Sequence, residues 1–282
     1  MKVPKRLQPL VHDGIVDAVA RQLMSGKEAM VFVVRCGSES RCAKVYKDAD
    51  RRSFRQAVDY TENRKTKNSR EARAIAKRTR FGRQSQEVAW QSAEVDALYR
   101  LAAAGVRVPH PYGFHAGVLL MELVTDDAGN AAPRLNDVEL APADALDLHE
   151  RLVREIVRML CAGVVHGDLS EFNILLGTDG PVIIDLPQAV DAAGNNHAQR
   201  MLLRDVDNLR RFFGRFAPML LGTDFGNEIW ARYQAGTLTP DATLTGQFAT
   251  DDAPVDLESV LDEIDAVRLE EAARQMRIRE RE

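Results

Sequence analysis

The strongest signal in this sequence is the stretch His166-Gly-Asp-Leu-Ser-Glu-Phe-Asn-Ile-Leu175, followed after a glycine-containing turn by Val182-Ile-Ile-Asp185. Its polar anchors are Asp168, Asn173 and Asp185. Each alone has a structural interpretation, as a turn former or a helix cap. Together they match phosphoryl transfer, which needs a carboxylate to orient the nucleophile and oxygen ligands for a divalent metal. We therefore expect Asp168 to orient the acceptor, and Asn173 and Asp185 to hold Mg²⁺.

The histidine that opens this stretch, His166, has two interpretations. A single histidine beside apolar residues is more typical of a core or turn position than of a catalytic group. We expect His166 to brace the loop that carries Asp168.

A second element of the predicted site lies upstream, in Cys42-Ala-Lys-Val-Tyr46. The flanking apolar residues predict a strand that projects Lys44 into a cleft, where an unpaired cation would be costly. Its expected partner is Glu94, on a helix packed behind the sheet. Glu87 competes for this role, and Asp96 is a weaker candidate. The pair would orient the α- and β-phosphates of a nucleotide.

The hydrophobic pattern predicts an α+β fold with two lobes. The expected helices are 9–23, 87–104, 143–162, 197–216 and a charged tail helix 257–279; the expected strands are 30–36, 41–46, 118–124, 164–166, 174–176 and 182–184. We divide the chain into an N-terminal helix (1–24), an N-lobe (25–124) with a long basic loop (61–86), a mainly helical C-lobe (125–236), and a linker with a charged helical tail (237–282).

Composition excludes several classes of protein. A chain of 282 residues that is 45% apolar can bury a sizeable core. The three cysteines show no C-x-x-C pairing, so neither a disulfide framework nor a thiolate zinc site is indicated. Every apolar stretch is interrupted by charge before reaching the roughly 18 residues of a membrane span. These features favour a protein of the cytoplasm without membrane contact.

The charge is unevenly distributed along the chain. The segment 64–83 holds nine Lys and Arg residues and one acid, a formal charge of +8, whereas the whole chain carries -4. Such a run is either a solvated loop or helix face, or an arm that contacts phosphate groups. The second interpretation predicts nucleic acid, such as RNA, or a phosphorylated molecule as a partner.

Short motifs in order along the chain resemble those of the RIO family of atypical serine kinases. The first, Ser25-Gly-Lys-Glu-Ala-Met-Val-Phe32, resembles the family's phosphate-binding loop. The others are Ala43-Lys-Val-Tyr-Lys47, Pro109-His-Pro111, Leu120-Met-Glu122, Ala132-Pro-Arg-Leu135, Asp168–Leu175, Ile184-Asp-Leu-Pro-Gln-Ala-Val190 and Arg204-Asp-Val206. The resemblance covers roughly residues 20 to 215, and several ordered matches are far more specific than one.

The resemblance implies a protein-kinase-like fold: a small N-lobe sheet with one αC-like helix and a helical C-lobe. ATP would lie in the cleft with Mg²⁺ or Mn²⁺ on Asn173 and Asp185. The nucleotide would be bound by residues from both edges of that cleft: Ser25, Gly26, Lys27, Lys44, Glu94, Met121, Glu122 and Val124. Met121, Glu122 and Val124 would line the hinge.

The sequence also departs from familiar patterns. Leu186-Pro187 follows Asp185, so there is no D-F-G, and no A-P-E segment precedes the next helix. Pro187, where the family often has Ser, and Met30, where it often has Asn, suggest a divergent branch. The short region before Ser25 favours the branch without the family's N-terminal winged-helix domain.

Three functions are compatible with these residues. The leading one is a serine/threonine protein kinase that also phosphorylates itself. The second is an ATPase-switched RNA or ribosome-assembly factor. It is suggested by the basic segment 64–83 as a contact for RNA or a ribosomal subunit, and by the association of the RIO family with ribosomal subunit maturation. In some RIO kinases an aspartyl-phosphate on the residue matching Asp185 is thought to matter more than substrate phosphorylation. The third is a small-molecule kinase similar to aminoglycoside phosphotransferases, which also show His166-Gly-Asp168; Ser25 to Glu28 argues against it.

Overall fold

A five-stranded antiparallel sheet forms the N-terminal half of the structure, a computed structural model that describes residues 3–26, 29–47 and 93–248. The strand order is β1-β2-β3-β5-β4. The strands are β1 (Ala18–Ser25), β2 (Ala29–Cys36), β3 (Glu39–Tyr46), β4 (Pro111–His115) and β5 (Val118–Glu122). The predicted hairpin with Lys44 in its second strand is confirmed, since Val31 pairs with Lys44.

Both faces of this sheet are covered. On one face Phe32, Ala43 and Val45 pack against the N-terminal residues, including the buried Leu10 of a short helix, α1 (Gln8–His12). Successive strand residues point to opposite faces, so Lys44, between Ala43 and Val45, projects from the other side. That side packs against the helix over residues 93–103, here called α2. This alternation directs Lys44 toward α2.

The predicted helix over 9–23 is wrong beyond His12. The chain turns after α1, where Gly14 has a positive φ of 69°, and enters strand β1. Register shifts interrupt the pairing of β1 with β2 between Val19 and Arg21 and between Gln22 and Met24. Such bulges disturb the two-residue alternation of a strand, so the apolar spacing imitates that of a helix.

The C-terminal half is mainly helical. Its α-helices are α3 (Pro142–Cys161), α4 (Ala198–Gly214) and α5 (Phe225–Gln234). Its short strands are β6 (Val164–Val165), β7 (Ile174–Gly177), β8 (Gly180–Ile183) and β9 (Val190–Asp191), which pair as β6 with β9 and β7 with β8. The predicted helices 143–162 and 197–216 and the strands at 164, 174 and 182 are confirmed with boundary shifts of at most two residues.

The segment after α5 stays attached to the helical lobe. Both carboxylate oxygens of the buried Glu228 accept backbone N–H groups, from Thr245 and Gly246. One compact unit therefore extends to Gln247, past the boundary predicted at residue 236. The Thr- and Asp-rich composition suggested a linker because the sequence pattern does not show these carboxylate contacts. The predicted tail helix 257–279 and the basic loop 61–86 lie outside the described residues.

Within the described ranges, no helix combines the length and the apolar character needed to cross a membrane.

A buried histidine in α3 makes the stability of the helical lobe depend on pH. His149 is 2% exposed, its Nε2 has no hydrogen-bond partner among the described residues, and it packs against Phe213 and Phe225. Burial lowers the pKa of His149 to about 4. In the unfolded chain the pKa is about 6.5, so between these values the unfolded state binds the extra proton.

We expect the free energy of unfolding to be largest above pH 6.5 and to fall by up to about 3 kcal/mol as pH drops toward 4 because of this group. His149→Leu should flatten this dependence, whereas His12→Gln, at an exposed histidine, should not. Urea unfolding at pH 7.5, 6 and 5 measures the effect. An unchanged pH slope in His149→Leu would contradict the assignment.

Candidate active site

Lys44 lies between two carboxylates from different elements. Its Nζ is 2.5 Å from Glu94 Oε1 on α2 and 2.8 Å from Asp185 Oδ1, after β8. The predicted pairing with Glu94 is therefore present. Asp96 is exposed on another face of α2, and the competing Glu87 lies outside the described residues.

The charges of this cluster hold one another in place. Burial by itself lowers the pKa of Lys44, but Glu94 and then Asp185 outweigh it, and the net pKa is raised well above its ordinary value. Burial raises the pKa of Asp185, and the adjacent Lys44 ammonium more than reverses this, so the net pKa is lowered. At neutral pH the cluster is one cation between carboxylates.

Glu94 has a second partner that the sequence reasoning missed. The hydroxyl of Tyr46, which is 0% exposed, donates to Glu94 Oε2 at 2.7 Å. Strand alternation explains the contact, because Tyr46 is two residues after Lys44 and shares its face. Both carboxylate oxygens of Glu94 are thus occupied, one by an ammonium and one by a phenol.

His166 braces the loop as predicted. It is 2% exposed, and its Nδ1 accepts the backbone N–H of Asp168 at 3.3 Å. Its Nε2 lies 3.1 Å from the carbonyl oxygen of Ile184 and, since Nδ1 accepts, must be the protonated nitrogen. Burial lowers the pKa of His166, so the ring is neutral. It ties the backbone at Asp168 to the residue before Asp185.

Asp168 lies at the exposed edge of the site. Its Oδ2 accepts a hydrogen bond from Gln188 Nε2 at 3.3 Å. Burial raises the pKa of Asp168, the Arg204 guanidinium opposes this, and the Asp185 carboxylate adds to the rise. The carboxylate is positioned by few contacts and remains accessible from solvent.

Asn173 and Asp185 present oxygen atoms to one cleft. The Asn173 side-chain N–H donates to the carbonyl of Asp168 at 2.9 Å, which leaves its Oδ1 as the amide atom available to a ligand. Asp185 uses Oδ1 for Lys44 and keeps Oδ2, and its side chain is 48% exposed. It also adopts a left-handed backbone conformation, with φ of 67°. One amide and one carboxylate oxygen suit Mg²⁺, which keeps several waters.

A cleft of about 580 Å³ separates the sheet from the helical lobe. Of the predicted site residues it is lined by Gly26, Lys44, Met121, Glu122, Val124, Asn173 and Asp185. Ser25 lies beside Gly26, with its Oγ 3.4 Å from Lys47 Nζ, and Lys27 lies outside the described residues. Glu94 lies behind Lys44, beside a smaller cavity. Arg134 also lines the cleft, although the sequence pattern around it suggested no role for its side chain.

The carboxylate of Glu122 is held by Arg107 and by the backbone of His110. Arg107 contacts both of its oxygens, at 2.7 and 2.8 Å, and the His110 backbone N–H donates to Oε2. Arg107 also joins the lobes through its backbone, donating to Glu155 Oε2 and accepting from the Ile183 N–H. The Glu122 carboxylate is thus occupied by Arg107 and His110, while the residue lines the cleft; its contact with a nucleotide stays a prediction.

Asp205 of α4 fixes the backbone of the loop that carries Asp168, a role that the sequence analysis did not predict. It is 2% exposed, and its oxygens accept the backbone N–H groups of Gly167 and Leu169 at 2.7 and 2.9 Å. Burial raises the pKa of Asp205 to about 7. The motif Arg204-Asp-Val206 marked this residue, but its loop contacts span nearly forty positions of sequence.

A small antiparallel sheet with one helix behind it, a helical second lobe, and a lysine–carboxylate cluster in the cleft between them define a protein-kinase-like fold. The structure of Rio2 kinase from Chaetomium thermophilum in an ADP/Mg²⁺-phosphoaspartate complex is similar, with a TM-score of 0.57, 25% identity, and coverage of 93% of this chain and 75% of that one. The predicted α+β, two-lobed class is confirmed.

A family model described as the RIO domain matches residues 30–224. The RIO-type serine/threonine-protein kinase Rio1 of Haloferax volcanii is 36% identical over 212 residues, covering 73% of this chain and 67% of the relative. The human serine/threonine-protein kinase RIO1 is 30% identical over 210 residues, but the chain covers only 35% of its length. The chain belongs to the RIO kinase family.

Proposed function

We propose that this chain is an ATP-dependent serine/threonine protein kinase whose reaction centre is the cluster of Lys44, Glu94 and Asp185 beside Asn173. The observation that carries the proposal is the position of the Lys44 ammonium, within hydrogen-bond distance of a carboxylate from each lobe at the edge of a nucleotide-sized cleft. A cation at this place is suited to hold nucleotide phosphates against a metal.

Each proposed role follows from the geometry around it. Asp168 would accept the hydrogen bond of the attacking hydroxyl, because it is accessible and its backbone is fixed by His166. The Oδ1 of Asn173 and the Oδ2 of Asp185 would hold Mg²⁺ or Mn²⁺. Bound metal would neutralise charge on the transferring phosphoryl group. Gly26, Met121 and Val124 would line the nucleotide site.

Comparing phosphate acceptors tests this function. Incubation with radiolabelled ATP should transfer label to a casein-like protein and to the chain itself, and not to aminoglycosides or choline. Label confined to the small molecules would overturn the proposal. The family assignment favours the protein acceptor, since the small-molecule alternative rested on the residues His166 to Asp168.

An aspartyl-phosphate ATPase is the second candidate, favoured by the phosphoaspartate in the structural neighbour. Here Asp185 Oδ2 would attack the γ-phosphorus while the bond to the β–γ bridging oxygen breaks and ADP leaves with the electron pair. Water would then hydrolyse the acyl phosphate. Neutral hydroxylamine releases label from an acyl phosphate but not from phosphoserine, so it separates this activity from the kinase reaction.

We also infer that the basic segment 64–83, outside the described residues, contacts RNA phosphates. Neutralising five of its cations should flatten the salt dependence of RNA binding, by about 0.7–0.9 in slope for each cation that binds a phosphate. These five are Arg70, Arg73, Lys77, Arg78 and Arg80. Filter binding across a salt titration measures the slope.

The control variant neutralises three arginines that form exposed ion pairs on helices: Arg151, Arg154 and Arg211. An equal salt slope in the two variants would contradict the inference.

A further inference from the structure

Arg134 has a fixed backbone at the wall of the cleft. The Leu176 N–H donates to the carbonyl of Pro133 at 2.9 Å, and the backbone of Arg134 forms an isolated antiparallel β-bridge with Leu175. The next residue, Leu135, is 0% exposed and anchors the segment in the core. Because β7 begins directly after Asn173, the same strand positions Arg134 and a proposed metal ligand.

The guanidinium of Arg134 is poorly satisfied. In the part of the chain that the structure describes, its one side-chain hydrogen bond runs from Nη2 to Met24 Sδ, at 3.1 Å, and no carboxylate lies within ion-pair distance. A thioether is a weak acceptor, whereas a guanidinium carries five N–H donors. The contact reaches across the cleft to β1, at the residue before Ser25 and Gly26 of the predicted phosphate-binding loop.

The charged residues around Lys44 are negative overall, which favours a second cation in the cleft. Lys44, Glu94 and Asp185 together carry one net negative charge, and a triphosphate would add several more. Lys44 and Arg134 are the basic side chains among the described residues that line the cleft, and Lys44 is held by two carboxylates. Another acid on the cleft wall, Asp137, accepts from the Asn136 amide and makes no ion pair with Arg134.

We propose that Arg134 binds the β- and γ-phosphates of the nucleotide, exchanging its thioether contact with Met24 for charge-assisted hydrogen bonds to phosphate oxygens. Arginine suits this role because its planar fork matches phosphate geometry. The residue would then distinguish nucleoside di- and triphosphates from AMP and adenosine. This inference rests on the proposed ATP-binding function.

Calorimetric titration with ATP, ADP and adenosine tests the inference. Arg134→Met should weaken ATP and ADP binding by about 10- to 100-fold, and Arg134→Lys by less, while adenosine affinity stays unchanged in both. Arg154→Met, which removes an arginine from the exposed face of α3, should bind all three ligands like the wild type. Unchanged ATP affinity in Arg134→Met would overturn the inference, as would an equal reduction in affinity for all three ligands.

Inorganic tripolyphosphate separates this inference from the proposed function. If the wild type binds tripolyphosphate and Arg134→Met does not, phosphate binding by Arg134 is supported even when ATP does not bind. If the wild type binds ATP and Arg134→Met binds it with the same affinity, the kinase proposal is retained and the proposed role of Arg134 is refuted. A wild type that binds neither ligand overturns both.

Discussion

Replacing Asp168 by Asn should reduce phosphoryl transfer by about 10²- to 10⁴-fold, the usual range for a group that handles a proton in the transition state. Asn keeps the size of the side chain and can still contact Gln188, but its amide is a much weaker base. ATP affinity should remain as in the wild type, because Asp168 does not line the nucleotide cleft. Initial rates and calorimetric ATP titration measure the two effects.

The control for this substitution is Gln188→Ala, which removes the hydrogen bond to Asp168 Oδ2 and leaves the carboxylate. Its transfer rate should fall much less than that of Asp168→Asn. Wild-type transfer by Asp168→Asn would refute the role of Asp168. Loss of ATP binding in the same variant would instead indicate a structural defect.

The pH profile gives an independent check on Asp168. Burial raises its pKa, and the carboxylate acts as acceptor only when ionised. The rate of phosphoryl transfer should therefore begin to fall at a higher pH than it would if Asp168 had the ordinary aspartate pKa of about 4. The acidic limb should disappear from the residual activity of Asp168→Asn.

Lys44→Met should have the largest combined effect on activity and stability. The substitution removes the proposed phosphate-binding cation, so we expect transfer to fall by at least about 10²-fold. It also leaves Glu94 buried without its ammonium, and breaking such a pair typically costs about 3 kcal/mol or more. The pKa of Asp185 should rise, because burial then acts without the opposing lysine. Transfer assays and urea unfolding measure the two effects.

A double variant separates the two consequences. Lys44→Met with Glu94→Gln removes the orphaned charge and keeps an acceptor for the Tyr46 hydroxyl, so most of the stability should return while transfer stays low. Lys5→Met, at an exposed position, controls for the change of residue type. Normal transfer by Lys44→Met would refute the proposed centre.

Site residues whose positions follow from their near neighbours in the sequence were predictable. Asp168, Asn173 and Asp185 lie in one stretch whose spacing fixes their order, and the apolar neighbours of Lys44 place it in a strand. The choice of Glu94 followed from Val95 and Leu98, which anchor one face of α2. Each of these inferences depends on local periodicity, which a single sequence displays.

Contacts between distant residues were not predictable in this way. The partners of two carboxylates show this: Glu122 is held by Arg107, and Asp205 reaches back to Gly167 from the following helix. Nothing in local spacing marks such partners. Strand β1 was missed for a different reason, since its bulges break the alternation by which a strand is recognised.

The double occupation of Glu94 bears on how such an enzyme could be regulated. Swinging α2 outward would take the Glu94 acceptor from the buried Tyr46 hydroxyl and would leave Lys44 paired with Asp185 alone. Loss of a buried hydrogen bond typically costs about 1–3 kcal/mol. In a kinase whose glutamate is paired with a lysine alone, that motion breaks a single ion pair. We therefore expect outward movement of α2 to be less favourable here than in a centre that the ion pair alone holds together.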